Sequence, residues 1–210
     1  VAHEINNPLT SILLNTHLML EKVERNSRFR ENLNLIADET SRCSEIVKGL
    51  LEFSRQNPPE KNFADVNEII NITLGILENQ VAFQNIKIIK NLDQNLPQIQ
   101  IDINKMKQVS WNLMINAAEA MSDGGTLTIT SRISENKKYI EIEFADTGMG
   151  IPKEYINKLF DPFFTTKGGG TGLGLAVSYG IIEQHKGKIE VKSKEYQGSA
   201  FIISLPISER

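Results

Sequence analysis

Two residues near the start of the chain have the types and spacing needed for chemistry at a phosphorus atom. His3 lies off the apolar seam of its predicted helix, and a neutral imidazole carries a lone pair that can attack phosphorus. Glu4 can accept the other ring N–H, fix the tautomer and take up the proton. Asn7 follows His3 by one helical turn and therefore shares its face. Taken alone, the pair also fits a surface histidine beside a glutamate.

Two asparagines, Asn112 and Asn116, lie one turn apart on a helix predicted over residues 104–121. They occupy the face opposite Leu113 and Met114. Amide oxygens are hard ligands that suit Mg²⁺. Asparagine is a poor helix former, so two on one face indicate a site, with a pair of solvent-exposed asparagines as the alternative.

A carboxylate and two glycines follow a predicted strand in Asp146-Thr147-Gly148-Met149-Gly150. Asp146 offers acceptor oxygens at the strand end, and the absent side chains of Gly148 and Gly150 let a flat ring approach the backbone. This combination suits an amino-purine. A plain Asp-Thr-Gly turn is the alternative.

A glycine-rich segment, residues 168–174, precedes the last predicted helix. It has five glycines in seven residues, which free the backbone to wrap a phosphate, and the helix N-terminus adds partial positive charge. The segment lacks the GK[ST] of a Walker loop and the preceding strand of a Rossmann turn. A flexible loop without a ligand is the alternative.

The residues that carry His3, 1–57, have an apolar pattern that predicts two helices. Each helix has a seam with a period of about 3.5 residues, and a polar turn at residues 24–28 separates them. A lone antiparallel hairpin leaves its apolar stripe half covered, so we expect a homodimer that closes into a four-helix bundle. Cys43 lies on the second seam and is expected in the core. The seams comprise Ile5, Leu9, Ile12, Thr16, Met19 and Val23, then Phe29, Leu33, Ile36, Thr40, Cys43, Val47 and Leu50.

The rest of the chain, residues 63–210, predicts an α+β domain after a proline-containing linker at residues 58–62. The order of the elements favours a mixed sheet with helices on one face. His17 and His185 have no partner in the sequence and are expected at the surface. Helices are predicted over 66–80, 104–121 and 173–186, and strands over 86–92, 98–102, 127–130, 139–144, 188–193 and 200–205.

Composition excludes several classes of protein. The 26 acidic and 23 basic residues give a net charge of −3, which argues against a polybasic nucleic-acid binder. One cysteine excludes a disulfide framework and a multi-cysteine metal site, and a reducing, cytoplasmic setting fits. No apolar run approaches the ~20 residues of a membrane segment. The chain starts at Val1 and enters a dense motif at once, so we expect a piece of a longer protein.

Five motifs, in this order, give the chain a family resemblance. They are HEINNPL (3–9), NLMINA (112–117), DTGMG (146–150), FDPFFTTK (160–167) and GTGLGL (170–175). Together they resemble the catalytic core of two-component sensor histidine kinases over nearly the whole chain. The resemblance implies a dimerisation and histidine-phosphotransfer hairpin in residues 1–57. It implies an ATP-binding α/β sandwich, shared with gyrase, Hsp90 and MutL, in residues 63–210.

The resemblance also implies roles for the residues of the first motif. His3 matches the phosphorylated histidine and Glu4 its acidic partner. Asn7 matches the position that, with Glu4, serves phosphatase activity in relatives.

In the ATP-binding part, Asn116 matches the Mg²⁺ ligand, and Asn112 lies one turn before it on the same face. Asp146 matches the acid that reads adenine, and Gly148 and Gly150 match the glycines that shape its pocket.

The resemblance implies that a short run of residues after Lys167 contacts the phosphates of the nucleotide. Many relatives have a basic residue three places after the Mg²⁺ asparagine, where this chain has Glu119. Lys167 is the nearest candidate to replace that charge. The implied run consists of Gly170, Thr171, Gly172, Leu173 and Gly174.

The implied activity is ATP-dependent autophosphorylation of His3 and transfer of the phosphoryl group to an aspartate of a response regulator receiver domain, with phosphatase activity toward that regulator. ATP and Mg²⁺ are the implied cofactors, and a sensory domain is expected before Val1. Two other functions stay open. One is a gyrase-like ATPase, although such enzymes carry a glutamate base where Asn112 stands. The other is a dimeric bundle that binds nucleotide only as a switch.

Overall fold

The computed structural model describes residues 2–24, 27–54, 58–78, 80–167 and 170–207. The side chains of residues 2–4, 45, 48, 49 and 51–54 lie outside this description, as do Gly168 and Gly169. The chain forms two compact units. The first contains the N-terminal helices and Pro162–Gly174, and the second contains the described parts of 57–161 and 175–210.

The first unit is built on two helices, α1 (Ala2–Lys22) and α2 (Arg28–Ser54), as predicted. Arg30, in the first turn of α2, donates from Nη1 to the carbonyl oxygens of Leu20 (2.9 Å) and Val23 (3.1 Å). Carbonyls in the last turn of a helix generally lack a donor within the helix, so the guanidinium caps the end of α1 and joins the two helices. Among the described residues, no helix combines the length and the apolarity needed to cross a membrane.

The predicted seams divide into two sets, each repeating every seven residues. One set is buried or half-buried within the hairpin: Leu9 and Thr16 in α1 and Val23 directly after it, with Leu33, Thr40 and Val47 in α2. The other set is exposed: Ile5, Ile12 and Met19 in α1, with Phe29, Ile36, Cys43 and Leu50 in α2. Cys43, expected in the core, is exposed in the single chain, because it belongs to the set that the hairpin does not cover; its burial would require a second hairpin. We call this exposed set the outer seam.

The second unit contains a five-stranded mixed sheet in the order β2-β4-β5-β7-β6. Its one parallel pair is β2 with β4, and the other neighbours are antiparallel. A separate antiparallel pair joins β1, which was not predicted, to β3. The bounds are β1 Asn62–Ala64, β2 Ile86–Leu92, β3 Ile99–Ile101, β4 Gly125–Ile133, β5 Tyr139–Asp146, β6 Lys188–Ser193 and β7 Ser199–Pro206.

Three helices accompany this sheet: α3 (Val66–Leu77), α4 (Ile103–Ala120) and α5 (Gly174–Gln184). Alternate residues of β5 are buried, which marks the face that contributes to the core. On the other face Arg132 forms ion pairs with Glu141 (2.9 Å) and Glu143 (3.0 Å), so that face is open to solvent. The predicted α+β fold class, a helical hairpin followed by a mixed sheet with helices, is confirmed.

His185, expected at the surface, is only 3% exposed. Its Nδ1 lies 2.7 Å from the carbonyl oxygen of Ile181, and its Nε2 accepts the backbone N–H of Asp102 at 3.0 Å. The ring is therefore the neutral tautomer with its proton on Nδ1. Burial lowers the pKa of His185 below its ordinary value. The prediction failed because the decisive partner, Asp102, is distant in sequence.

The end of the predicted linker is bonded into the second unit. The backbone N–H of Glu60 donates to Oδ2 of Asp102 at 3.0 Å, and Nζ of Lys61 donates to the carbonyl oxygen of Gln184 at 2.8 Å. Desolvation lowers the pKa of Lys61, and the nearby positive charge of Lys186 lowers it further. Two of the five residues at 58–62 therefore share hydrogen bonds with α4 and the end of α5.

Candidate functional site

The two asparagines of α4 lie on one half-buried face, as predicted. Leu113 and Met114 are buried in the core beneath them. Nδ2 of Asn112 donates to Oγ of Ser178 on α5 at 3.2 Å, and Ser178 is completely buried. The bond joins α4 to α5 and orients the Asn112 amide one turn before Asn116.

The carboxylate of Asp146 is buried at the end of β5. Its Oδ1 accepts the backbone N–H of Gly148 at 2.8 Å and that of Ser199, on β7, at 3.2 Å. Bonds from backbone N–H groups to an ionised carboxylate are among the stronger hydrogen bonds in proteins. They hold Asp146 in one orientation against two different segments of the chain.

The loop that follows Asp146 is wedged between the end of α4 and the turn that joins β6 to β7. A Cβ at Gly148 would collide with the carbonyl of Ala120, the last residue of α4, and Met149 donates its N–H to the same carbonyl at 3.0 Å. Gly150 has a φ of 69°, and a Cβ there would collide with the carbonyl of Lys194. Only glycine satisfies both contacts. The structure thus brings the Asp146 loop to the end of the helix that carries Asn112 and Asn116.

The glycine-rich segment ends where α5 begins, at Gly174, as predicted. Gly172 has a φ of 67°, and its carbonyl oxygen accepts the N–H of Phe163 at 3.1 Å. A Cβ at Gly172 would collide with the backbone of Phe163, so glycine is required there for both shape and backbone angle.

The residues around this segment make local contacts. The N–H of Lys167 donates to Oγ1 of Thr165 at 3.1 Å, and the N–H of Gly170 donates to the carbonyl of Lys167 at 3.3 Å. Leu173 is buried, and its N–H donates to Oγ1 of Thr171 at 3.4 Å. These residues fall in the first unit. Asn112, Asn116 and Asp146 belong to the second unit, and each set is described within its own unit.

The phospho-acceptor segment lies on α1. The side chains of His3 and Glu4 are outside the described residues, so the roles predicted for them stay predictions. Asn7 is described: it is exposed, and its carbonyl oxygen accepts from Oγ of Ser11 at 3.1 Å. The carbonyl in this bond is the backbone one, so the exposed Asn7 side chain is not used by it.

Comparison with known proteins places this arrangement in a family. The model for "Histidine kinase-, DNA gyrase B-, and HSP90-like ATPase" matches residues 101–209, and the model for "His Kinase A (phospho-acceptor) domain" matches residues 1–59. The chain belongs to the two-component histidine kinases. The resemblance found in the five motifs is confirmed.

Individual relatives agree with the family models. The sensor histidine kinase ZraS of Escherichia coli (strain K12) is 35% identical over 208 residues, which cover 99% of this chain and 44% of the relative. The crystal structure of histidine kinase ThkA in complex with response regulator protein TrrA has 32% identity and a TM-score of 0.74, covering 99% of this chain and 60% of that one. Full-length ShkA in complex with AMPPNP shares the fold, with a TM-score of 0.79 at 22% identity, covering 100% of this chain and 45% of that one. This histidine kinase core spans less than half the length of the curated relatives that it matches.

The structure adds residues to the kinase site that the motifs do not reveal. Ser178 holds Asn112, and Ser199 holds Asp146. Ser193 bonds to the end of the Asp146 loop. A serine in a helix or strand carries little signal by itself, and these three act through pairings between distant segments. Of the three, only Ser178 has a clear sequence signal, as a polar residue within an otherwise apolar stretch.

Proposed function

We propose that this chain transfers the γ-phosphoryl group of ATP to His3 and then to an aspartate of a response regulator receiver domain. The observation that carries this proposal is the nucleotide site of the second unit. There the fixed carboxylate of Asp146 and its glycine-shaped loop meet the end of the helix that bears Asn112 and Asn116. Phosphoryl transfer requires positioning and charge neutralisation more than covalent chemistry by the protein; this site would supply the positioning, and Mg²⁺ held on α4 would supply the neutralisation.

Asp146 would select the base of the nucleotide. A carboxylate oxygen accepts a hydrogen bond from the exocyclic amino group of adenine, whereas guanine presents a carbonyl at the same position. The two backbone N–H groups that hold Oδ1 keep the carboxylate from turning away. Gly148 and Gly150 let the purine lie against the backbone.

The donor set on α4 fits Mg²⁺, because amide oxygens are hard, neutral ligands that leave room for phosphate oxygens. Asn116 would hold the ion, with Asn112 beside it oriented by Ser178. When bound, Mg²⁺ neutralises charge on the phosphates. The exposed carboxylate of Glu119 cannot bind a phosphate directly, so Lys167 and the backbone of Gly170, Thr171, Gly172, Leu173 and Gly174 are proposed for that task.

The acceptor step follows from the chemistry of the HEINNPL segment. A ring nitrogen of neutral His3 attacks the γ-phosphorus, the bond from that phosphorus to the bridging oxygen breaks, and ADP leaves. Glu4 accepts the N–H of the other ring nitrogen and stabilises the charge that develops on the ring. Asn7, exposed one turn away, is proposed to orient the water molecule that hydrolyses the aspartyl phosphate of the regulator in the separate phosphatase reaction.

A gyrase-like ATPase is less well supported. Hydrolysis needs a general base for water, and the side chain of Asn112 donates from its amide to Ser178 instead. The amide does not take up a proton at neutral pH. A histidine acceptor avoids this requirement, because imidazole is itself the nucleophile.

The outer seam supports assembly as a homodimer. Ile12 and Met19 are 46% and 55% exposed, and the set repeats every seven residues along both helices. An apolar stripe of this length favours burial against a second hairpin in a four-helix bundle. The proposed domains are residues 1–57 for dimerisation and phosphotransfer, 58–62 as the linker and 63–210 for ATP binding.

A receiver domain is the proposed partner of a different face of α1. Leu14 and Leu18 are exposed, 60% and 46%, and lie outside both seams. They lie on α1 at positions C-terminal to both His3 and Asn7. ThkA, the relative that forms a complex with a response regulator protein, supports this assignment. We also propose a cytoplasmic location. An upstream sensory domain is proposed as well, since the curated relatives are more than twice as long.

Incubation with ATP labelled at the γ-phosphorus tests the proposal. His3→Gln should abolish incorporation of acid-labile, base-stable phosphate while nucleotide affinity stays near that of the unmodified chain. His17→Gln is the matched control, because His17 is an exposed histidine on the same helix, and it should label normally. Label that persists in His3→Gln would move the acceptor elsewhere. Release of inorganic phosphate without labelling would indicate an ATPase, and binding without either would indicate a nucleotide switch.

A further inference from the structure

Three residues lie side by side where three neighbouring strands meet the Asp146 loop. Asp146 ends β5, Ser193 ends β6, and Ser199 begins β7 between them. The register pairs Ser199 with Asp146 on one side and with Ser193 on the other. A change at Ser193 is therefore two strands away from the carboxylate that is proposed to read the base.

The hydroxyl of Ser193 makes three hydrogen bonds. Its Oγ accepts the backbone N–H of Ile151 at 2.8 Å and donates to the carbonyl oxygen of Gly198 at 2.9 Å. It also lies 3.1 Å from Oγ of Ser199. A hydroxyl has one proton and two lone pairs, and the proton is committed to Gly198. Ser199 must then donate to Ser193, which uses the whole hydrogen-bonding capacity of the Ser193 hydroxyl.

These bonds join both ends of the nucleotide loop to the turn between β6 and β7. Ile151 follows Gly150 at the far end of the loop, and Ser199 holds Asp146 at the near end. The middle of the loop meets the same turn, because the N–H of Tyr196 donates to the carbonyl of Met149 at 2.6 Å. The Ser193 side chain links two of these places directly, because its hydroxyl bonds both to the Ile151 N–H and to the hydroxyl of Ser199.

We propose that Ser193 is a positioning residue for base selection: through Ile151 and Ser199 it fixes the loop in which Asp146 distinguishes adenine from guanine. The inference rests on the proposed role of Asp146. Ser193 itself need not touch the nucleotide. Loss of its hydroxyl would leave the N–H of Ile151 without its acceptor and would let the loop shift relative to β7.

The experiment measures ADP and GDP affinity by calorimetry in the presence of a chelator. Ser193→Ala should weaken ADP binding by about 3- to 10-fold, the worth of one lost hydrogen bond, while GDP binding changes little. The preference for ADP should fall by the same factor. Ser193→Thr keeps the hydroxyl at a strand end that tolerates β-branching and should restore the preference. Ser204→Ala, on the half-exposed part of β7 away from the loop, is the matched control.

The preference ratio separates positioning from loss of fold, because both nucleotides bind the same folded population. The inference is overturned if Ser193→Ala lowers the affinities for ADP and GDP by the same factor, or if it changes neither affinity. If the alanine variant does not fold, Ser193→Cys, with its weaker hydrogen bonding, gives the same ratio test. Unmodified protein that shows no preference for ADP, or an Asp146→Asn variant that keeps it, would instead overturn the proposed base-reading site.

Discussion

His185 accepts, at Nε2, a hydrogen bond from the backbone N–H of Asp102, and Asp102 in turn caps the first turn of α4. The two residues join the end of α5 to the start of α4. The proposed nucleotide ligands lie further along these helices, Asn112 and Asn116 on α4 and Gly174 at the start of α5. One buried imidazole thus helps to fix α4, which carries the proposed Mg²⁺ ligand, against the end of α5.

The first prediction is that folding stability falls as the pH drops below about 6.5, the ordinary pKa of histidine. Burial lowers the pKa of folded His185, the positive charges of Lys61 and Lys105 lower it further, and Asp102 and the Ile181 carbonyl oppose the shift. Between the unfolded and folded pKa values the unfolded chain binds the extra proton. The contribution of His185 to the free energy of unfolding is therefore fully present above pH 6.5. It decreases toward acid by up to about 1.4 kcal/mol per pH unit.

Denaturant unfolding between pH 5 and 8 measures this dependence. His185→Gln provides an uncharged amide that can accept from Asp102 and donate to Ile181, so its slope between pH 5 and 6.5 should be smaller. His17→Gln, at an exposed position on α1, should keep the slope of the unmodified chain. Equal slopes in all three proteins would contradict the assignment.

The second prediction concerns the base. Asp146→Asn keeps the size of the side chain but replaces one acceptor oxygen with a donor. Loss of a buried, charge-assisted hydrogen bond costs roughly 1.5–3 kcal/mol, about 10- to 150-fold in ATP affinity. Discrimination against GTP should decrease at the same time. Titration of both nucleotides measures the effect. If Asp146→Asn binds ATP as tightly as the unmodified chain does, the assignment of the adenine pocket is wrong.

The third prediction concerns Mg²⁺. Asn116→Ala should weaken Mg²⁺-dependent nucleotide binding and nearly stop labelling of His3, while binding in the presence of a chelator changes little. Asn91→Ala, at an exposed asparagine of β2, is the control for a general effect of losing an amide. If the Asn116 variant lost affinity equally with and without the ion, Asn116 would contact the nucleotide rather than hold the metal.

The fourth prediction concerns the outer seam. Ile12→Asp would place an unpaired charge in the dimer interface, which costs several kcal/mol, and light scattering should then report a monomer near 23.6 kDa. Leu14→Asp changes a residue that is at least as exposed but lies outside the seams, so it should remain dimeric. The same Leu14 variant should accept phosphate from ATP at the normal rate but should pass it to a receiver domain more slowly. A monomeric unmodified chain would refute the assembly.

Features with a local sequence signal were predicted well. The apolar repeat of α1 and α2, the glycine stop after α4 and the alternation of β4 and β5 each depend on neighbouring residues. Short β1 has only three residues, too few for a period to show. The structure also shows that one half of each predicted seam stays exposed, a distinction that residue type alone does not make.

Features that depend on distant pairing were missed or misjudged. His185 is buried because a backbone N–H from Asp102 meets its ring, which no nearby residue reveals. Ser193 and Ser199 reach the Asp146 loop only through the register of β5, β7 and β6. The motif residues Asn112 and Asp146 were identified from sequence, but the serines that orient or hold them required coordinates.

The hydrogen bond from Nζ of Lys61 to the carbonyl oxygen of Gln184 determines where this chain can be divided when ATP-binding parts are exchanged between relatives. A junction after Asn62 would separate that carbonyl from the Lys61 side chain, whereas the backbone N–H that Glu60 donates to Asp102 is supplied by any residue except proline. A junction after Pro59 carries both donors along with α4 and α5. Chimeric kinases joined after Pro59 should retain the thermal stability of the protein that supplies the ATP-binding part. Chimeras joined after Asn62 should be less stable.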